Sequence, residues 1–167
     1  MTIDLSKLSP NDAVAALRSY PRRFRSALSP ITGDERIEEM AQQVGPDGES
    51  AVDQTAHLVR TWTVLREALR QIQVNDTPVV HGAVIDPAQR DWESPVRETV
   101  ASVLDQVDDE AAAFADAVAA VASGEWNRTA SVAGGGTVTA LEVVREAVQA
   151  GHDQLTAVEK TLAALRR

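Results

Sequence analysis

Residues 50–74 read SAVDQTAHLVRTWTVLREALRQIQV. Leu58, Trp62, Leu65, Leu69 and Ile72 recur three or four residues apart, which lines one face of an α-helix and no face of a strand. The start is marked by Ser50, whose hydroxyl is placed to accept the amide of Asp53 in a capping box with Asp in place of Glu. A helix with one narrow apolar stripe is stable only when that stripe packs on other helices. The rest of the chain must supply them.

Three other segments do. Ser9-Pro10 with Asp12 is an N-cap, a Pro in the first helical position and an acid in the first turn. Val14, Leu17, Pro21, Phe24 and Leu28 follow at helical spacing, with a kink or restart expected at Pro21. Ser29–Gly33 is a turn, residues 34–43 hold one or two helical turns, and Gly45-Pro-Asp-Gly48 is a clear break. Residues 75–93 contain Pro78, Gly82 and Pro87, carry no periodicity and form a long crossover. Ser94-Pro95 opens the third long helix, whose Val96, Val100, Val103, Val107, Ala111, Phe114, Val118 and Val121 run on until Gly124. Gly134-Gly-Gly136 follows no recognisable strand and reads as a linker. Thr139 with Glu142 caps the fourth, with Leu141, Val144, Val148, Leu155 and Leu162 as its stripe. The last three helices are expected to be about 24–28 residues, roughly 36–42 Å each. The architecture is all-α: one four-helix-bundle domain over residues 1–167, with a long crossover between the second and third long helices.

Composition narrows the function. Lys plus Arg number 16 against 25 Asp plus Glu, a net charge of −9 that repels phosphate backbones and disfavours nucleic acid. No window approaches the ~20 apolar residues of a membrane span, and residues 1–10 do not form a signal peptide. With no Cys there is no disulfide, thiolate metal site or Cys nucleophile. A cytoplasmic protein is expected. Phosphate-binding loops, the dinucleotide fingerprint, the zinc-protease motif and the nucleophile elbow are all missing.

The remaining candidates are few. Asp108-Asp109-Glu110 reads as a solvated face, Pro21–Arg25 as a solvated basic turn, and His81 as a loop residue. Trp62 belongs to the core, and Trp92 and Trp126 sit at helix boundaries, where they would plug the bundle ends. His57 and His152 lie on the second and fourth long helices. At 100° per residue His152 falls about 40° from Val148 on the apolar stripe, and both imidazoles point into or beside the bundle interior. Facing side chains hold metals in such bundles, and Gln149 and Asp153 could add oxygen ligands. A buried, hydrogen-bonded histidine is the plain alternative.

Tyr20-Pro-Arg-Arg-Phe24, the segment Ser50–Leu58 with His57, Trp92 after the crossover, Glu125-Trp126-Asn-Arg-Thr129, Thr137–Leu141 and the run through His152-Asp-Gln-Leu155 occur in an order that resembles the DinB-like superfamily. The resemblance, to DinB/YfiT-type metalloenzymes and their actinobacterial mycothiol-linked branch, spans roughly residues 12–165. It implies a divalent metal, Zn or Ni, held by three His, one from the second long helix and two spaced four apart on the fourth. His57 matches the first. The pair falls at Gln149 and Asp153 with His152 adjacent, and a one-residue shift would give His152 a Val148 partner. The implied metal ligands are thus His57, His152 and Asp153. Gln and Asp favour harder ions than imidazole does. The implied activity is transfer of, or isomerisation dependent on, a small thiol such as mycothiol, acting on a small electrophile admitted by a cavity at the open end of the bundle, bordered by residues 75–93. A homodimer is also implied. The second reading is a metal-free dimeric binding or interaction module on the same fold, and the third a bundle unrelated to the superfamily.

Overall fold

A computed structural model describes residues 4–29, 36–93 and 97–167. Its helices are α1 (Pro10–Ala27), the short α2 (Ile37–Gln42), α3 (Ala51–Val74), α4 (Val100–Ala119) and α5 (Ala140–Leu165). The caps read from sequence are formed. Ser9 Oγ accepts from the Asp12 amide while Asp12 accepts from the Ser9 amide. Ser50 Oγ and Thr139 Oγ1 accept from the amides of Asp53 and Glu142 at 3.0 and 3.1 Å. Each of these bonds satisfies one of the four amides that a helix start leaves open.

The pairings fix how the helices run. Arg18 meets Asp116 and Arg25 meets Asp108, so α1 and α4 are antiparallel. Gln54 donates to Thr161 and Trp62 to the Ala147 carbonyl, so α3 and α5 are antiparallel. Arg145 reaches the Leu8 carbonyl while Tyr20 lies against Gly151, so α1 and α5 run the same way. It follows that α3 and α4, which also pack together, are parallel. A parallel pair cannot be joined by a tight turn, and the chain therefore travels back along the bundle through the described crossover residues 75–93. The long crossover is a geometric requirement of this topology.

Several elements differ from expectation. α1 runs through Pro21 without a restart. The Ser94-Pro95 cap lies outside the described residues, as does most of the Ser29–Gly33 turn. The described α4 begins at Val100 and has 20 residues, about 30 Å rather than 36–42 Å. Its start is capped by Thr99, and from a distance by Glu38 of α2, whose carboxylate takes the Val100 amide at 3.1 Å. α4 ends at Ala119, before Gly124, and a 3-10 turn over Ser123–Glu125 follows.

Gly134–Gly136 is not a linker but the turn of a hairpin. β2 (Thr129–Val132) and β3 (Thr137–Thr139) pair antiparallel around the three glycines, all at positive φ, which side chains disfavour. β1 (Val79–Val80) of the crossover pairs parallel with β2, giving sheet order β1-β2-β3. This small sheet ties the crossover to the start of α5 and so positions what lies between them. No helix among the described residues is long and apolar enough to cross a membrane.

Candidate functional site

The interior between α1, α3 and α5 is filled by aromatic side chains. Tyr20, Phe24 and Trp62 are buried, with Tyr20 tilted on Trp62 at 5.6 Å between ring centroids. Two of them are anchored to α5: Tyr20 Oη donates to the Val148 carbonyl at 2.7 Å, and Trp62 Nε1 to that of Ala147 at 2.9 Å. Burial pushes the Tyr20 phenol up to about 12, so it keeps its proton and remains a donor. The α5 surface facing these rings is Ala147, Val148 and Gly151, small enough for the helix to lie close. Trp62 is core, as its spacing implied.

His57 stands outside this plug, on the face of α3 that carries the crossover. Its ring is 6.4 Å from Trp92, and His81 is 6.3 Å from the same indole. Trp92 Nε1 donates to Thr61 at 3.0 Å, one turn along α3 from His57. Trp92 therefore lies along the side of α3 rather than plugging an end. Trp126 does sit at a bundle end, beside Ser9, Val14 and Val118. His81 Nδ1 accepts from the Ala83 amide at 2.9 Å and caps the 3-10 turn Gly82–Val84.

Burial pushes the His57 imidazole below its ordinary 6.5; Arg90 and Arg60 act the same way, and Glu49 and Asp91 oppose them. His57 is therefore neutral at pH 7. A depressed value for a base means the unfolded chain takes the proton more readily. Stability is complete above about 6.5 and is lost as pH falls from there through the folded-state value. A His57→Gln variant is expected to lose less stability over that interval in urea titrations, and the His57 ring signals to titrate below 6.5 by NMR. Identical pH profiles for variant and parent would refute this.

His152 and Asp153 are elsewhere. His152 shares its face of α5 with Arg145, which reaches the Leu8 carbonyl ahead of α1, and lies about 120° round from Glu146, which binds the crossover. It is half-buried rather than on the core face. Asp153 is exposed and accepts from Gln149 Nε2 at 2.7 Å. Neither is among the charged neighbours of His57. Among the described residues no three His, Asp or Glu side chains gather into a metal-binding group. The donor set does not fit a three-imidazole centre.

Residues without a sequence signal organise the crossover instead. Arg90 is 8% exposed, and its Nε donates to the Ala83 carbonyl at 2.8 Å while Nη2 meets Glu146 at 2.7 Å. The Asp108–Glu110 acids are more than a solvated face: Asp108 pairs with Arg25, and Glu110 takes Arg66 through two bonds of 2.6 and 3.2 Å. Pro21–Arg25 is part of α1 and not a turn, and Arg23 within it lies over the Tyr20 ring at 5.3 Å. On the outer face of α5 a cavity of about 370 Å³ is bounded by Leu5, the crossover residues Val84 and Ile85, and Val138 of the hairpin. Glu142, Arg145, Glu146 and Gln149 complete its wall. This cavity meets the crossover at Val84 and Ile85, and His57 is not among the residues that line it.

An up-down-down-up bundle with a parallel middle pair and a long crossover is the class this geometry defines. The chain belongs to the DinB superfamily, whose model matches residues 16–155. Among solved structures it is similar to YfiT from Bacillus subtilis, described as a probable metal-dependent hydrolase with an unusual four-helix bundle topology. The TM-score is 0.75 at 13% identity, covering 98% of this chain and 90% of that one. At that identity the likeness shows the fold alone. No curated protein matches significantly.

Proposed function

We propose that this chain is a metal-free, small-ligand-binding member of the DinB superfamily, with the α5 cavity as its ligand seat. The observation that supports this most is the aromatic plug. Tyr20 and Trp62 occupy the space in front of α5 and hold its carbonyls, while Gln149 and Asp153, where the resemblance implies imidazoles, bond to each other on the outside. A thiol-transfer or thiol-dependent isomerisation centre needs a metal with an open position to activate the thiol or polarise the electrophile. His57 alone offers one imidazole. The homodimer implied by the resemblance is carried in this reading and is tested by sedimentation equilibrium.

The deciding experiment is elemental mass spectrometry on untagged protein, as purified and after incubation with Zn, Ni and Mn, beside His57→Ala. The expected result is no stoichiometric metal in either protein. About one divalent ion per chain, lost in His57→Ala, overturns the proposal. It would restore His57, with His152 or Asp153, as ligands of a mycothiol-type transferase.

A further inference from the structure

The polar groups around the α5 cavity are unevenly committed. Glu146 is neutralised by Arg90 at 2.7 Å, and the Gln149 amide nitrogen is spent on Asp153. Arg145 gives its Nε to the Leu8 carbonyl at 3.1 Å, and among the described residues its terminal nitrogens meet no carboxylate. The Glu142 carboxylate likewise forms no ion pair among those residues. One positive and one negative group are therefore left, three residues apart on the same helix and so side by side. They stand over an apolar floor of Leu5, Val84, Ile85 and Val138, in which Ile85 is 44% exposed.

From this arrangement we infer that the cavity binds a small zwitterion with an aliphatic body, the chemistry of a free aliphatic amino acid. This rests on the proposed binding role and names the ligand class of the same seat. The carboxylate would meet the Arg145 guanidinium and the ammonium would meet Glu142, with the Gln149 carbonyl oxygen as a further acceptor. The aliphatic body would cover Ile85 and the floor. A lone organic cation would leave Arg145 uncompensated beside it, and a lone anion would face Glu142. Only a ligand carrying both charges next to an apolar group uses every uncommitted group. A cavity of about 370 Å³ is also at the small end of the usual ligand range of roughly 300–1,000 Å³.

Three probes with the same aliphatic body separate the charges: leucine, 3-methylbutylamine and 4-methylpentanoate, titrated calorimetrically into the full chain. Leucine is expected to bind, and the amine and the acid to bind about tenfold more weakly or worse, since each lacks one charge-assisted contact. Glu142→Gln and Arg145→Gln are each expected to weaken leucine by about the same factor. Arg145→Lys keeps the cation but not the bond to Leu8, and leucine binding is expected to survive in it. Absence of leucine binding, equal binding of the amine or the acid, or unchanged binding in both Gln variants overturns the inference. The metal content of the same samples reports on the binding role separately. Leucine binding with one metal ion per chain would refute only the metal-free reading. Metal-free protein that ignores leucine would refute only the ligand class.

Discussion

Gly151→Ala is expected to destabilise the protein by about 2 kcal/mol, although alanine is the better helix former. In an exposed helix interior the change would stabilise by about 1 kcal/mol. Here the added methyl would stand 2.6 and 2.7 Å from Tyr20 ring carbons and 3.1 Å from Trp62. Neither ring can swing away freely. Tyr20 is 1% exposed and tethered through its hydroxyl to Val148, and Trp62 is fully buried and tethered through its indole to Ala147. Overpacking a fixed interior costs about 1–3 kcal/mol, and more where the neighbour is rigid, so the clash outweighs the propensity gain. For a chain of this size that is roughly 4–8 °C in Tm. Gly124→Ala is the control: a methyl there meets nothing within 4 Å, and no change beyond about 0.5 kcal/mol is expected. Thermal and urea denaturation of the two variants decide the matter. If Gly151→Ala proves as stable as its parent, the aromatic plug is mobile and the interior has room for a ligand. Adding Tyr20→Phe to Gly151→Ala frees the ring from Val148 and should recover part of the loss, a coupling that a double-mutant cycle measures.

The same glycine explains where the sequence misleads. A stripe drawn through the large residues Leu141, Val144, Val148, Leu155 and Leu162 is centred about 60° away from the buried face of α5, on the side of His152. The buried face includes Ala140, Ala147, Ala150 and Gly151, small residues that a hydrophobicity pattern weights lightly. They face inward because Tyr20 and Trp62 supply the bulk from across the interface. A pattern of large residues therefore puts His152 on the stripe, although it is only half-buried. The helices themselves are legible, because Ser9, Ser50 and Thr139 cap locally and their signals need no partner. The α4 start has a local cap at Thr99, to which Glu38 adds a second from 62 residues away that no sequence pattern shows. The strands were hidden for another reason: two, four and three residues are too few for an alternation to emerge from loop composition. Arg90 carries no sign of its burial, which is created by the crossover folding back over α5.

Arg90→Met is expected to cost about 2–3 kcal/mol and to release the crossover from α5. The guanidinium is almost fully buried, with its side chain 6% exposed, and it satisfies the Ala83 carbonyl and the Glu146 carboxylate together. Methionine keeps an unbranched apolar stem but lacks the guanidinium and donates nothing, so a buried carbonyl and a carboxylate are left without their partner. Removing one member of a fully buried ion pair costs about 3–5 kcal/mol. Glu146 retains 27% exposure and can be partly rehydrated, which brings the expectation below that range. Glu146→Gln keeps a neutral acceptor for Arg90 and should cost less, about 1 kcal/mol. The loss should also be local. Val84, Ile85 and Asp86 donate their amides within the turn that Arg90 fastens, to the carbonyls of His81 and Gly82. Hydrogen exchange at these three amides should accelerate in Arg90→Met more than at amides of α3 or α5, because the segment can open without unfolding the bundle. Val84 and Ile85 also form the crossover side of the α5 cavity, so leucine binding should weaken in the same variant even at temperatures where it is fully folded. Unchanged exchange at Val84–Asp86 would mean that the β1–β2 pairing, and not Arg90, holds the crossover in place. An exchange increase with undiminished leucine binding would instead place the ligand seat away from the crossover wall.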